Sequence, residues 1–139
     1  MTKRTRPAGL RIRLVFSNRS WIGPGKADLL ELIRETGSIA AAGRKLGMSY
    51  KRAWSLSESL NAMFQEPVIE SSRGGAAFGG ARLTKTGEKV LDLYRRLEAK
   101  AEKSAAAQIC DLEALLAATP AEQTVEMVVD MPIDMSNRK

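Results

Sequence analysis

The stretch from Ser38 to Asn61, SIAAAGRKLGMSYKRAWSLSESLN, restricts the possible folds more than any other part of the chain. It holds two helical patterns separated by one glycine turn, and each pattern is preceded by a serine. Ser38 can cap the first, because its hydroxyl can accept a hydrogen bond from a free first-turn amide. That helix is expected from Ile39 to Leu46 and ends at Gly47, where the turn needs left-handed backbone that glycine adopts without steric cost. Ser49 is the second cap, opening a longer helix of roughly Tyr50 to Phe64, with Ala53, Trp54, Leu56, Leu60 and Phe64 as its expected buried positions. The small residues Ala40, Ala41, Ala42 and Gly43 allow the two helices to pack closely. Two helices across a tight turn are the pattern of a helix-turn-helix, whose second helix enters the DNA major groove with its N-terminal turn exposed. In that turn Ser49, Tyr50, Lys51, Arg52 and Ser55 offer donors to bases and phosphates, and Ser38 is a further candidate contact. An ordinary helical hairpin with a solvated basic face is the plainer alternative.

The flanking segments favour the DNA reading. Upstream, Leu10 to Ser17 alternates apolar and basic residues, the period of a half-buried strand. Gly23-Pro24-Gly25 breaks the chain. Ala27, Leu29, Leu30, Leu32 and Ile33 then recur at helical spacing up to Thr36, and Gly37 stops that helix. Downstream of Pro67, Val68 to Ser71 reads as a strand, Arg73 to Gly80 as a glycine-rich tip and Ala81 to Leu83 as the returning strand. A hairpin directly after the second helix is a wing. Arg73, Gly74, Gly75 and Arg82 can follow the phosphate backbone or reach a minor groove. A nucleotide-phosphate loop is a poor rival, because the glycine spacing fits neither a Walker A motif nor GxGxxG.

From Thr84 a further helix begins, capped by the threonine with Glu88 four residues on. Its apolar stripe, Val90, Leu91, Tyr94, Leu97 and Ala101, slips after Ala101 to Ala105, Ile109, Leu112 and Leu116, which implies a kink or two consecutive helices. A three-helix head is too small to cover that much apolar surface. Val90, Leu91, Tyr94, Leu97, Ile109 and Leu112 are therefore expected to form a homodimer contact, the alternative being that the helix folds back on its own head. The fold class expected is mainly α with a small β wing. Residues 1–83 form a winged helix-turn-helix head with an N-terminal strand, 84–118 the dimerisation helix or helices, and 119–139 a flexible, mildly acidic tail.

Composition bounds the chemistry. The 139 residues carry 22 Lys and Arg against 16 Asp and Glu, a formal charge of +6, and 44% of them are hydrophobic, enough for a real core. The excess is concentrated early: Lys3, Arg4, Arg6, Arg11, Arg13 and Arg19, then Arg44, Lys45, Lys51 and Arg52, lie in stretches without an acid. Polyanions are the partners such surfaces attract. The chain has no His and one Cys, so neither general-base catalysis by histidine nor a Cys/His metal cluster is available; no enzyme activity, metal or cofactor is expected. Cys110 is expected to be a buried small apolar residue, in a reducing compartment. No apolar run has membrane-spanning length, so a cytoplasmic protein without membrane contact is expected.

Gly47-Met48-Ser49-Tyr50-Lys51-Arg52-Ala53-Trp54 resembles the recognition-helix signature of the ModE-type molybdate-responsive regulators, whose DNA-binding head is LysR-like. Arg73-Gly74-Gly75 with Gly79-Gly80 and Leu83-Thr84-Lys85-Thr86-Gly87 is similar to that family's wing and the start of its next helix. The resemblance covers roughly Leu10 to Leu116. It implies a dimeric winged-helix regulator of transcription, with Ser49, Tyr50, Lys51 and Arg52 near double-stranded DNA and targets in molybdenum metabolism. Full-length members sense molybdate or tungstate through a C-terminal oxyanion-binding module. Residues 120–139 are too few for such a β-barrel, so molybdate binding by this chain is not expected. Two rivals stand beside this reading: a helical adaptor docking a protein partner, and a small-oxyanion sensor using the wing-side glycines.

Overall fold

A computed structural model of the chain describes residues 9–72 and 80–117. Arg73, Gly74 and Gly75 of the expected wing tip, the basic residues Lys3, Arg4 and Arg6 and the tail from 119 lie outside those residues. The chain divides into two compact units, Met1–Ser104 and Ala105–Lys139.

The first unit opens on a two-residue antiparallel ribbon, β1 (Leu14–Val15) against β2 (Trp21–Ile22). The longer strand expected from Leu10 to Ser17 does not form, because β2 offers only two residues to pair with. The alternation survives as burial: Leu10, Ile12, Leu14 and Phe16 are half-buried while Arg11, Arg13 and Val15 are exposed. Trp21 carries two cations over its ring, the Arg13 guanidinium 4.1 Å and the Lys26 ammonium 3.8 Å from the centroid. Lys26 also donates to the Trp21 carbonyl at 3.0 Å. Burial, and secondly the charge of Arg13, hold its pKa below the usual 10.5.

Helix α1 (Pro24–Thr36) is the centre of the core. Proline at its first position gives up no hydrogen bond there, and Gly37, in left-handed geometry, closes its end by donating to the Ile33 carbonyl. Ala27, Leu29, Leu30 and Ile33 are inaccessible to solvent. Around them pack Ile39 and Ala42 of α2 (Ile39–Lys45), Ala53 and Leu60 of α3 (Tyr50–Met63), Val68, Ile69, Ala81 and Leu83 of the hairpin, and Leu91 and Tyr94 of α4 (Lys85–Ser104). The α2–α3 turn runs through Gly47 at φ +75, and a β-carbon on Gly43 would stand 2.8 Å from that of Ala53. Small residues are thus required where these two helices meet, as the sequence implied.

Strands β3 (Ile69–Ser72) and β4 (Gly80–Leu83) pair antiparallel, Ile69 opposite Leu83 and Ser72 opposite Gly80. Two sets of bonds fix this hairpin. The Asn61 side chain accepts from the Val68 and Ile69 amides at 2.7 and 2.9 Å and donates to the Ile69 carbonyl at 2.9 Å, tying α3 to β3. The Ala81 amide donates to the Gly37 carbonyl at 2.9 Å, tying β4 to the α1–α2 turn.

Thr84 caps α4, accepting from the Gly87 amide at 2.9 Å while donating to the Pro67 carbonyl. Glu88 takes no part in the cap; it pairs with Arg34 of α1 at 2.9 Å. Leu91 and Tyr94, expected at a dimer contact, are instead buried against the rest of their own unit, and the Tyr94 hydroxyl donates to the Ile12 carbonyl. Burial, with the charge of Glu98 next, pushes the Tyr94 phenol up to about 12. Arg95 clamps α4 to α1, reaching Asp28 at 2.8 Å and Glu31 at 2.6 Å, with Glu98 of its own helix at 3.0 Å. These contacts place α4 with the head, so the division falls at Ser104 and not at residue 83 as expected. Ala105 separates α4 from α5 (Ala106–Ala114), in agreement with the slip in the apolar stripe. Cys110 is exposed, contrary to its expected burial, as no residue of α5 is buried. Among the described residues no helix is long and apolar enough to cross a membrane.

Candidate nucleic-acid interface

Ser49 holds the first turn of α3 in place. Its hydroxyl oxygen accepts from the Arg52 amide at 3.1 Å, and Ser38 does the same for Ala41 at the start of α2, at 3.0 Å. Both serines therefore cap helices; Ser38 is half-buried and Ser49 exposed. The inward stripe of α3 is Ala53, Ser57 and Leu60, with Leu56 partly covered. Ser57 satisfies its buried hydroxyl by donating to the Ala53 carbonyl at 2.9 Å. This stripe leaves Tyr50, Lys51, Arg52 and Ser55 on the solvent side, Tyr50 at 58% exposure.

Trp54 is the correction on this helix. Expected to hold α3 against the core, it is 41% exposed. It follows Ala53 by one residue, about 100° around the helix, which carries it past the edge of the buried stripe.

The charges of α3 are arranged against its own stability. Its first turn has no acid and its last turn no base, yet Lys51 and Arg52 stand at the positive end of the helix dipole. Each cation there costs roughly 0.3–1 kcal/mol, the reverse of what a carboxylate would contribute. Among the described residues neither side chain has an ion pair or hydrogen bond, whereas Arg34, Arg82, Arg95 and Arg96 are all paired with carboxylates. Arg82, expected to be a wing contact, spans the hairpin to Glu70 at 2.8 Å, so its charge is already matched. Arg44 and Lys45, at the end of α2, extend the basic surface and sit favourably at that helix's negative end.

Of the positions expected at a dimer contact, Leu91 and Tyr94 face inward, Val90, Leu97 and Ile109 are half-buried and Leu112 is 65% exposed. Sequence reasoning missed Leu93, Leu115 and Leu116, all exposed, and Asn61, which sets the hairpin's position relative to α3. Only an asparagine inside a helix and shortly before a strand could have drawn attention to Asn61. No group of three or more His, Cys, Asp or Glu among the described residues could hold a metal ion.

By sequence the chain is related to the ModE-type transcriptional regulators and to the Mop molybdenum-pterin-binding proteins. The Rhodobacter capsulatus molybdenum-pterin-binding protein MopB is 43% identical over 82 residues, 59% of this chain and 30% of that protein. The transcriptional regulator ModE of Yersinia pestis is 34% identical over 97 residues, 70% of this chain and 37% of that protein. The DNA-binding transcriptional dual regulator ModE of Escherichia coli K12 is 31% identical over 87 residues, 63% of this chain and 33% of that protein. By name these relatives are transcriptional regulators or a molybdenum-pterin-binding protein. The chain spans about a third of their length. No family model matches it.

Proposed function

We propose that this chain is a winged helix-turn-helix protein that binds duplex DNA and regulates transcription, with α3 in the major groove and the β3–β4 hairpin on the backbone or minor groove. The observation that carries the proposal is the first turn of α3: exposed, basic, without ion pairs, and charged against its helix dipole. A DNA phosphate at that end turns the cost of Lys51 and Arg52 into a gain, since helix N-termini and cations both attract phosphate. Ser49, Tyr50 and Ser55 lie beside them as hydrogen-bonding groups for bases and backbone. The naming of the Escherichia coli relative as DNA-binding agrees with this assignment, and the relatives' names suggest targets in molybdenum metabolism.

Lys51→Ala with Arg52→Ala tests it. The double variant should retain the circular dichroism of the parent and melt at the same or a slightly higher temperature, because both side chains are exposed and oppose the helix dipole, and should bind duplex DNA more weakly in fluorescence anisotropy. Equal binding by the two proteins rejects the assignment of α3. We further propose that the protein acts as a homodimer, with Leu112 of α5 and Leu115 and Leu116 just after it, all exposed, as an apolar contact surface. Sedimentation equilibrium should give twice the chain mass; a monomer at micromolar concentration, with a different protein held by these leucines, would favour the adaptor reading.

A further inference from the structure

We infer that Trp54 is a specificity-determining contact that selects thymine through its 5-methyl group; this deepens the proposed DNA reading and rests on it. Trp54 is 41% exposed and Tyr50, one turn earlier on the same shoulder of α3, is 58% exposed. Lys51 and Ser55 stand beside them on the outward face. Among the described residues neither the indole N–H nor the Tyr50 hydroxyl has a hydrogen-bond partner. The two rings thus form an apolar ridge next to a cationic turn, on the face proposed to meet DNA.

The indole's chemistry narrows what it can read. It donates one hydrogen bond and accepts none, so it has nothing to offer the amino groups that adenine and cytosine present in the major groove. Guanine presents two acceptors and no apolar atom. Thymine alone presents a methyl group beside an acceptor, O4, matching an apolar ring that carries one N–H. Trp54 also sits about 3–4.5 Å along the helix axis from Arg52 and Lys51, within one turn of the residues proposed to meet the phosphates. A side chain at that depth can touch a base edge while Lys51 and Arg52 hold the backbone.

The test starts from duplexes recovered by the wild-type protein from a randomised pool. Each thymine of the recovered sequence is then replaced in turn by deoxyuridine, which removes only the methyl group. For the wild type, one position per half-site should lose about fivefold or more in affinity on this change. For Trp54→Ala, the thymine and deoxyuridine duplexes should bind equally, and Trp54→Phe, which keeps an apolar ring, should retain part of the discrimination. Matching circular dichroism of the variants shows that the fold is intact, and the deoxyuridine series on the wild type needs no variant at all. No methyl-sensitive position, or the same sensitivity in wild type and Trp54→Ala, overturns the role of Trp54 while salt-dependent binding through Lys51 and Arg52 still stands. Failure of the pool to enrich any sequence, with binding insensitive to Lys51→Ala and Arg52→Ala, overturns the DNA reading as well.

Discussion

Replacing Gly87 by alanine sets two effects of opposite sign against each other. Gly87 lies in the first turn of α4, and alanine in a helix is favoured over glycine by about 1 kcal/mol on propensity alone. The structure points the other way. A β-carbon at Gly87 would stand 2.1 Å from the Val68 carbonyl oxygen, 3.0 Å from the Val68 carbonyl carbon and 3.3 Å from the Leu83 β-carbon. The first of these is backbone, with no flexible end to swing aside. The same carbonyl accepts from the Thr84 amide at 3.0 Å, and Thr84 in turn caps Gly87 and donates to Pro67. Pushing α4 away therefore strains or breaks bonds worth about 1 kcal/mol each, on top of an overpacking cost of about 1–3 kcal/mol. After subtracting the propensity gain, Gly87→Ala should destabilise by about 2–3 kcal/mol. For a head of this size that lowers Tm by roughly 10–20 °C. Gly25→Ala in α1 is the internal control, since a β-carbon there meets nothing within 4 Å; its Tm should hold or rise slightly. Thermal unfolding followed by circular dichroism at 222 nm reads both. A Gly87→Ala protein as stable as the parent would refute the close approach of α4 to the Val68 carbonyl.

Three further outcomes follow from the same contacts. Arg95→Met strips a salt bridge from the buried Asp28 carboxylate and from Glu31; because Arg95 is itself partly exposed, the loss should be nearer about 2 kcal/mol than the full cost of a buried pair, read by urea unfolding, and an unchanged midpoint contradicts the clamp. Tyr94→Phe should cost about 1 kcal/mol at neutral pH by orphaning the Ile12 carbonyl. The folded phenol is raised to about 12 from 10.0, so the folded state favours the protonated form; the advantage of tyrosine over phenylalanine should be fully present below pH 10 and shrink as pH rises toward 12. A constant difference across that window argues that Tyr94 is not buried as described. Lastly, Leu112→Glu with Leu116→Glu should leave unit one folded and convert a dimer to a monomer in sedimentation, whereas a retained dimer moves the contact off these leucines.

Local chemistry in the sequence was the readable part. Ser38, Ser49 and Thr84 cap where a hydroxyl before an apolar run should cap, Gly37 and Gly47 turn the chain where left-handed backbone is needed, and the alternation from Leu10 to Phe16 survives as burial. What failed depended on neighbours distant in sequence. Trp54 reads as inward with the other apolar residues of its helix, whereas Ala53, Ser57 and Leu60 form the buried stripe and leave it outside. Leu91 and Tyr94 went to a dimer surface because nothing local announces that α1 lies beneath them. Arg82 reads from the sequence as a wing contact, because its partner, Glu70, is across a hairpin and is visible only once the register is known.

The most direct test is the salt dependence of duplex binding by the parent and by the Lys51→Ala, Arg52→Ala variant, plotted as the logarithm of affinity against that of salt concentration. Each phosphate contact contributes about 0.9 to the slope. If both side chains hold phosphates in each protomer of a dimer, the variant's slope should be shallower by about 3.6. Parallel lines for the two proteins would mean that the first turn of α3 does not touch DNA.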